Sequence, residues 1–141
     1  MKRPCILVID HEFPGTISTR KLVIETAKFN VITAYSSHEG METLERFPNV
    51  DAVVLNSGNR DIPCAELVAA IKKMLPKLPV VVTSDSGQDD CGMGNHSVRT
   101  FEPASLLETL RGIFPEADKV IRQTEKKLAR VEEVQAQEVL S

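Results

Sequence analysis

Four apolar runs in this chain end on residues able to do chemistry. Asp10-His11-Glu12 follows residues 6–9, Asn56-Ser57 follows 52–55, Ser84-Asp85 follows 80–83, and Glu102 follows a weaker run, 98–101. Histidine and carboxylates together suit zinc or manganese, so Asp10, His11, Glu12, Asp85 and Glu102 form one candidate metal set. Against it stands the need for at least three ligands to converge with matched geometry. Ser57 and Ser84 carry hydroxyls, yet there is no Gly-x-Ser-x-Gly elbow and no Ser-His-Asp order, so structural serines are the simpler reading. His38 and His96 have no evident nucleophile to serve. Gly87, Gly92 and Gly94 fit neither a Gly-x-Gly-x-x-Gly nor a Walker spacing, and Asp89 and Asp90 beside them would repel phosphate.

These residues meet only if the runs that precede them lie side by side. Residues 6–9 are short and unbroken, the pattern of a strand buried on both faces of a parallel sheet, and 31–34, 52–55 and 80–83 share it. Helical spacing joins Ile17, Leu22, Ile24 and Ala27 over about 16–28, which would turn Arg20 and Lys21 to water. Ser36 and Glu39 are spaced as a capping box opening a second helix that ends near Phe47-Pro48. A third, over 65–75, places Leu67, Ala70, Ile71 and Leu75 on one stripe and stops at Pro76. From 85 to 97 there are three glycines and almost nothing to bury, so a loop or single turn is expected in place of a fourth crossover helix. Ser105 and Glu108 suggest a second capping box, opening a helix through Leu106, Leu107, Leu110 and Ile113.

Strand alternating with helix implies right-handed crossovers, hence an α/β fold with a doubly wound, five-stranded parallel sheet in a three-layer sandwich. Such sheets carry their sites at the carboxyl ends of the strands, where the residues above sit. Beyond Phe114, Pro115 with Glu116 and Asp118 signals a new helix running to about residue 137. Ala117, Ile121, Thr124, Leu128 and Val131 recur there in steps of four and three. That seam suits a partner helix, such as a second copy of the chain, with packing back on the domain as the alternative. The expected division is a domain over 1–114 and a helical extension over 115–141.

The 141 residues suffice for one domain, and 42% apolar with 26% charged residues is a globular composition. A formal charge of −3 gives no general pull toward nucleic acid or anionic lipid. The first apolar run ends at Asp10, too short for a signal peptide or a membrane span, so a cytoplasmic protein is expected. Cys5, Cys64 and Cys91 lack Cys-x-x-Cys spacing and are read as ordinary thiols.

The element order, with Ile-Leu-Val-Ile-Asp-His-Glu near the start and Leu-Pro-Val-Val-Val-Thr-Ser later, resembles the receiver domain of bacterial response regulators over about residues 4–114. The resemblance implies the flavodoxin-like receiver fold and a family site at which two acids hold Mg²⁺, an aspartate accepts a phosphoryl group, a Ser or Thr contacts it and a lysine pairs with it. Asp10 matches the first acid, His11 falls at the second, and Glu12 matches an acid that often follows. Asn56 stands at the acceptor, Ser84 at the hydroxyl and Glu102 at the lysine, while Asp85 replaces a small residue and Arg99 the aromatic switch. An amide is a poor nucleophile and cannot form an acyl phosphate. Without the lysine, Asp10, Asp85 and Glu102 disfavour an anion.

The resulting expectation is a pseudo-receiver of a two-component or phosphorelay pathway, with no enzyme activity, cofactor or metal. It would bind signalling proteins, whether kinase, regulator or output protein, through a face including Asp85, Arg99 and Phe101, and pair with itself through the last helices. The alternative is a receiver phosphorylated at another carboxylate, such as Asp61 or Asp10. A flavin- or nucleotide-binding protein of the same fold is a third reading by analogy of fold.

Overall fold

Valine, isoleucine and leucine runs build the centre of the molecule: β1 (Cys5–Ile9), β2 (Asn30–Ala34), β3 (Ala52–Asn56), β4 (Val80–Ser84) and β5 (His96–Arg99). They form one parallel sheet in the order β2-β1-β3-β4-β5. The computed structural model describes residues 3–10, 19–58, 61–84, 94–100 and 102–140. β3 and β4 are buried along their whole length, which is why they read as unbroken apolar runs, whereas edge strands β2 and β5 expose Asn30, His96 and Arg99.

Because strand side chains alternate, the sheet makes two cores. On one face Leu7, Ile9, Val53, Leu55, Val80 and Val82 pack with residues of α2 (Ser37–Arg46) and α3 (Cys64–Met74). On the other, Ile6, Val8, Val54, Val81 and Val98 pack with α1 (Thr19–Thr26), α4 (Pro103–Ile113) and α5 (Pro115–Leu140). Register pairs Ile9 with Leu55, Asn56 with Thr83, and Ser84 with Arg99, so the ends of β1, β3 and β4 lie together.

Local chemistry sets the helix ends. Ser36 Oγ accepts from the Glu39 N–H at 3.0 Å, and the Glu39 carboxylate accepts from the Tyr35 N–H at 3.0 Å, one residue earlier than a standard capping box. Beyond α1, Lys28 adopts a left-handed φ of 64°. The expected capping box at Ser105 does not form. α4 begins at Pro103 with Glu102 as its N-cap residue, and Ser105 Oγ donates to the Glu102 carboxylate at 3.0 Å. Proline's fixed φ and missing N–H suit the first helical position better than an interior one, so it sets the start.

Other expectations shift. Strand β5 runs two residues earlier than the apolar pattern 98–101 suggests, because its ladder with Val81 to Ser84 begins at His96. Leu22 is 48% exposed, and the buried face of α1 is formed by Arg20 and Ile24 instead. Cys64 is disulfide-bonded, whereas Cys5 is a free thiol, so the reading of all three cysteines as thiols does not hold. Ile17 and the region 85–93 lie outside the described residues, as does any helix expected or ruled out there.

α5 is divided in its environment. Ala117 and Ile121 are buried, Ile121 within the core, while Leu128, Val131 and Val134 are exposed. The first two turns thus pack back on the domain. Among the described residues no helix is long and apolar enough to cross a membrane.

Candidate functional site

Asp10 follows the last residue of β1 and is 0% exposed. A buried carboxylate needs a partner, and it has a cation: Arg20, in the first turn of α1, donates from Nε to Oδ2 at 2.8 Å and from Nη2 to Oδ1 at 2.6 Å. The two parallel bonds are the fork geometry that planar guanidinium makes with carboxylate. Arg20 is 8% exposed, contrary to the expectation that it faces water. It occupies the i position of an i, i+4, i+7 set with Ile24 and Ala27, both buried, so the helix turns it inward onto Asp10.

Asn56 ends β3 and is buried beside this pair. Its Nδ2 donates to Asp10 Oδ1 at 3.3 Å, and its Oδ1 accepts the Gly58 N–H at 2.8 Å. The amide is thereby used on both sides, with its donor toward the negative charge and its acceptor toward the backbone. Ser84, at the end of β4, is buried, and its carbonyl accepts from the Thr100 N–H at 2.9 Å. Among the described residues, Asp10, Arg20, Asn56, Thr83 and Ser84 are thus the buried polar residues at the carboxyl ends of β1, β3 and β4 and the start of α1.

Glu102 is exposed and engaged elsewhere, with Ser105 and, at 3.6 Å, with Arg99. Exposed as both are, the ion pair contributes under about 1 kcal/mol. Arg99 and Glu102 line an open polar cleft of about 350 Å³ with Ser97, Ser105, Glu108 and Thr109. His11, Glu12, Asp85 and Phe101 lie outside the described residues.

Asp61, between β3 and α3, serves a helix remote in sequence. Its two oxygens accept the backbone N–H groups of Ser37 at 3.2 Å and His38 at 2.9 Å, at the start of α2. Burial acts to raise its pKa, but these N–H bonds, together with the Ser37 side chain and the backbone N–H of Asp61 itself, outweigh it and hold the carboxyl below its ordinary range. His38 itself is exposed, as is His96 on β5.

Mg²⁺ demands near-octahedral oxygen ligation. Here both oxygens of Asp10 are held by a guanidinium, the amide oxygen of Asn56 by a backbone N–H, and no cluster of three His, Cys, Asp or Glu able to hold a metal occurs among the described residues. The described residues do not fit the ion. Among the described residues the charge of Asp10 is paired with that of Arg20, and at the end of β3 the side chain is a neutral amide, not a carboxylate nucleophile.

The chain matches no protein-family model. Over 85 residues, 60% of its length, it is 28% identical to the transcriptional regulatory protein GlrR of Escherichia coli K12 and equally to QseF of Escherichia coli O157:H7. It spans about a fifth of each, 19%. Among solved structures it resembles a response regulator receiver domain protein from Methanospirillum hungatei, with a TM-score of 0.71 and 17% identity over 84% of this chain and 98% of that one. One from Clostridium thermocellum gives 0.64 and 23%, covering 89% and 98%. Borrelia burgdorferi CheY, in its complex with CheX, BeF₃ and Mg²⁺, gives 0.68 and 20%, covering 79% and 89%. With its five parallel strands in the order β2-β1-β3-β4-β5 and helices on both faces, the chain has the CheY-like fold of response-regulator receiver domains.

Proposed function

We propose that this protein is a receiver-fold module of two-component signalling that takes no phosphoryl group and acts by binding other signalling proteins. The observation that carries the reading is Asn56: at the end of β3, its amide is fixed between the Asp10 carboxylate and the Gly58 N–H. A neutral amide so placed supplies neither the nucleophile nor the charge that acyl-phosphate formation requires. It has no enzyme activity of its own on this reading, and it works in the cytoplasm alongside kinases, regulators or output proteins. Its binding face lies at the carboxyl ends of the strands and the polar cleft of Arg99 and Glu102, whose residues differ in charge from the anion-binding set of the family it resembles. Exposed Leu128, Val131 and Val134 on α5 are available for pairing with a second copy. Against phosphorylation at Asp61 stands its engagement with the start of α2, which an acyl phosphate would disrupt.

The test is intact mass before and after incubation with acetyl phosphate and Mg²⁺. An unchanged mass is expected. Gain of one phosphoryl group would overturn the reading, and peptide mapping would then identify the modified carboxylate.

A further inference from the structure

The buried pair Asp10–Arg20 has a meaning beyond the loss of an acceptor. We propose that the Arg20 guanidinium is a resident cation that takes the place of a divalent ion at the end of β1, so that this centre holds its shape without metal and excludes it. The inference rests on reading the cluster as chemically silent, but its test reads metal and not phosphoryl transfer, so either can fail alone.

Three observations carry it. Arg20 reaches Asp10 with two bonds, at 2.8 and 2.6 Å, one to each oxygen, so a metal approaching either oxygen meets a guanidinium N–H already in place. Asp10 is fully buried and the Arg20 side chain is 10% exposed, so the charges are compensated within the protein and only weakly by solvent. Asn56 donates its N–H to Asp10 Oδ1, a polarity that complements a carboxylate already paired with a cation and turns a proton, not a lone pair, toward the site. An incoming Mg²⁺ would have to expel the guanidinium or sit beside it, and the second arrangement places like charges together where the dielectric screens them poorly.

Position in the fold gives the substitution its effect. Arg20 belongs to α1, Asp10 follows β1 and Asn56 ends β3, so the chain Arg20–Asp10–Asn56 ties a helix to two adjacent strands through the Asp10 carboxylate. A metal would leave such a link dependent on ion concentration. A side chain makes it permanent, and the site is fixed in one state.

The experiment follows thermal unfolding of the full chain with Mg²⁺ or Mn²⁺, and calorimetric titration of the same ions, for the native protein, Arg20→Gln, Asp10→Asn and the double variant. A site half-filled near 1 mM would raise the midpoint by several degrees at about 10 mM ion. The expected result is no shift and no saturable heat for the native protein, and for Arg20→Gln a lowered midpoint that the ions raise again. Adding Asp10→Asn to that variant should abolish the response. An ion-dependent shift in the native protein that is lost in Asp10→Asn overturns the proposal, as does a folded Arg20→Gln protein that ignores both ions. If Arg20→Gln folds in no ion, the native titration decides alone: absence of heat upholds the proposal, and saturable heat lost in Asp10→Asn overturns it.

Discussion

Asn56 Nδ2 lies 3.3 Å from Asp10 Oδ1, an amide donating to a carboxylate in a buried site. An aspartate at position 56 would replace that donor with a second negative charge at the same distance. The Arg20 guanidinium, already paired with Asp10, would then face both charges. Asn56→Asp should therefore destabilise the protein by about 1–3 kcal/mol at neutral pH. The new carboxyl would have a raised pKa in the folded state, so the folded protein would bind the extra proton first. Stability lost at neutral pH should return on acidification, and urea unfolding across pH would show the gap from the native protein closing.

Asp61 predicts the opposite slope. Its pKa is lowered, since its hydrogen bonds from the Ser37 and His38 N–H groups, the Ser37 side chain and its own N–H together outweigh the effect of burial, so its contribution is present above the ordinary carboxyl range and disappears as pH falls through the lowered value. Asp61→Ala should cost about 1 kcal/mol at neutral pH, in line with other helix N-caps. At strongly acid pH the native and variant unfolding curves should converge. A difference that persists there would show that the residue acts by packing alone.

Gly40 of α2 faces Ile9 of β1. A Cβ built at position 40 would meet Ile9 Cδ1 at 2.5 Å and Cγ1 at 2.8 Å, closer than carbon atoms allow. Gly40→Ala should lower stability by about 1–3 kcal/mol by overpacking, despite alanine's better helix propensity. Ile9→Val, which removes Cδ1, should recover part of the loss in the double variant. Simple addition of the two losses would contradict the contact.

The two halves of α5 should differ on truncation. Ending the chain after Phe114 removes Ala117 and Ile121 from the core and should cost about 2–5 kcal/mol, the range for deleting a large buried aliphatic side chain. Ending it after Glu125 should leave the unfolding midpoint of the monomer nearly unchanged. Light scattering of the full chain tests the pairing of Leu128, Val131 and Val134 with a second copy. A monomer at high concentration would remove that part of the account.

Most of the sheet was legible in the sequence because β3 and β4 are buried on both faces and so read as unbroken aliphatic runs. Edge strand β5 was misplaced by two residues because His96 and Ser97 pair through their backbones while carrying polar side chains, which periodicity cannot register. The ends Asp10, Asn56 and Ser84 were legible for the same reason as their strands. Arg20 was not. A charged residue on a helix next to Lys21 reads as solvent-facing, and only its spacing from Ile24 and Ala27 marks it as inward. The start of α4 was missed because Ser105 and Glu108 have capping spacing, yet Pro103 fits the first helical position. Asp61 capping a helix 23 residues upstream is a tertiary contact that no local pattern encodes.

The most direct test of the central claim is an NMR titration of the ¹⁵N-labelled native chain with Mg²⁺ and then beryllofluoride, following the backbone amides of Asn56, Gly58, Ser84 and Thr100. With Asp10 held by Arg20 and an amide at position 56, these signals should stay where they are. Saturable shifts clustered on the ends of β3 and β4 would mean that the site still accepts the metal and a phosphoryl mimic, and would contradict the account.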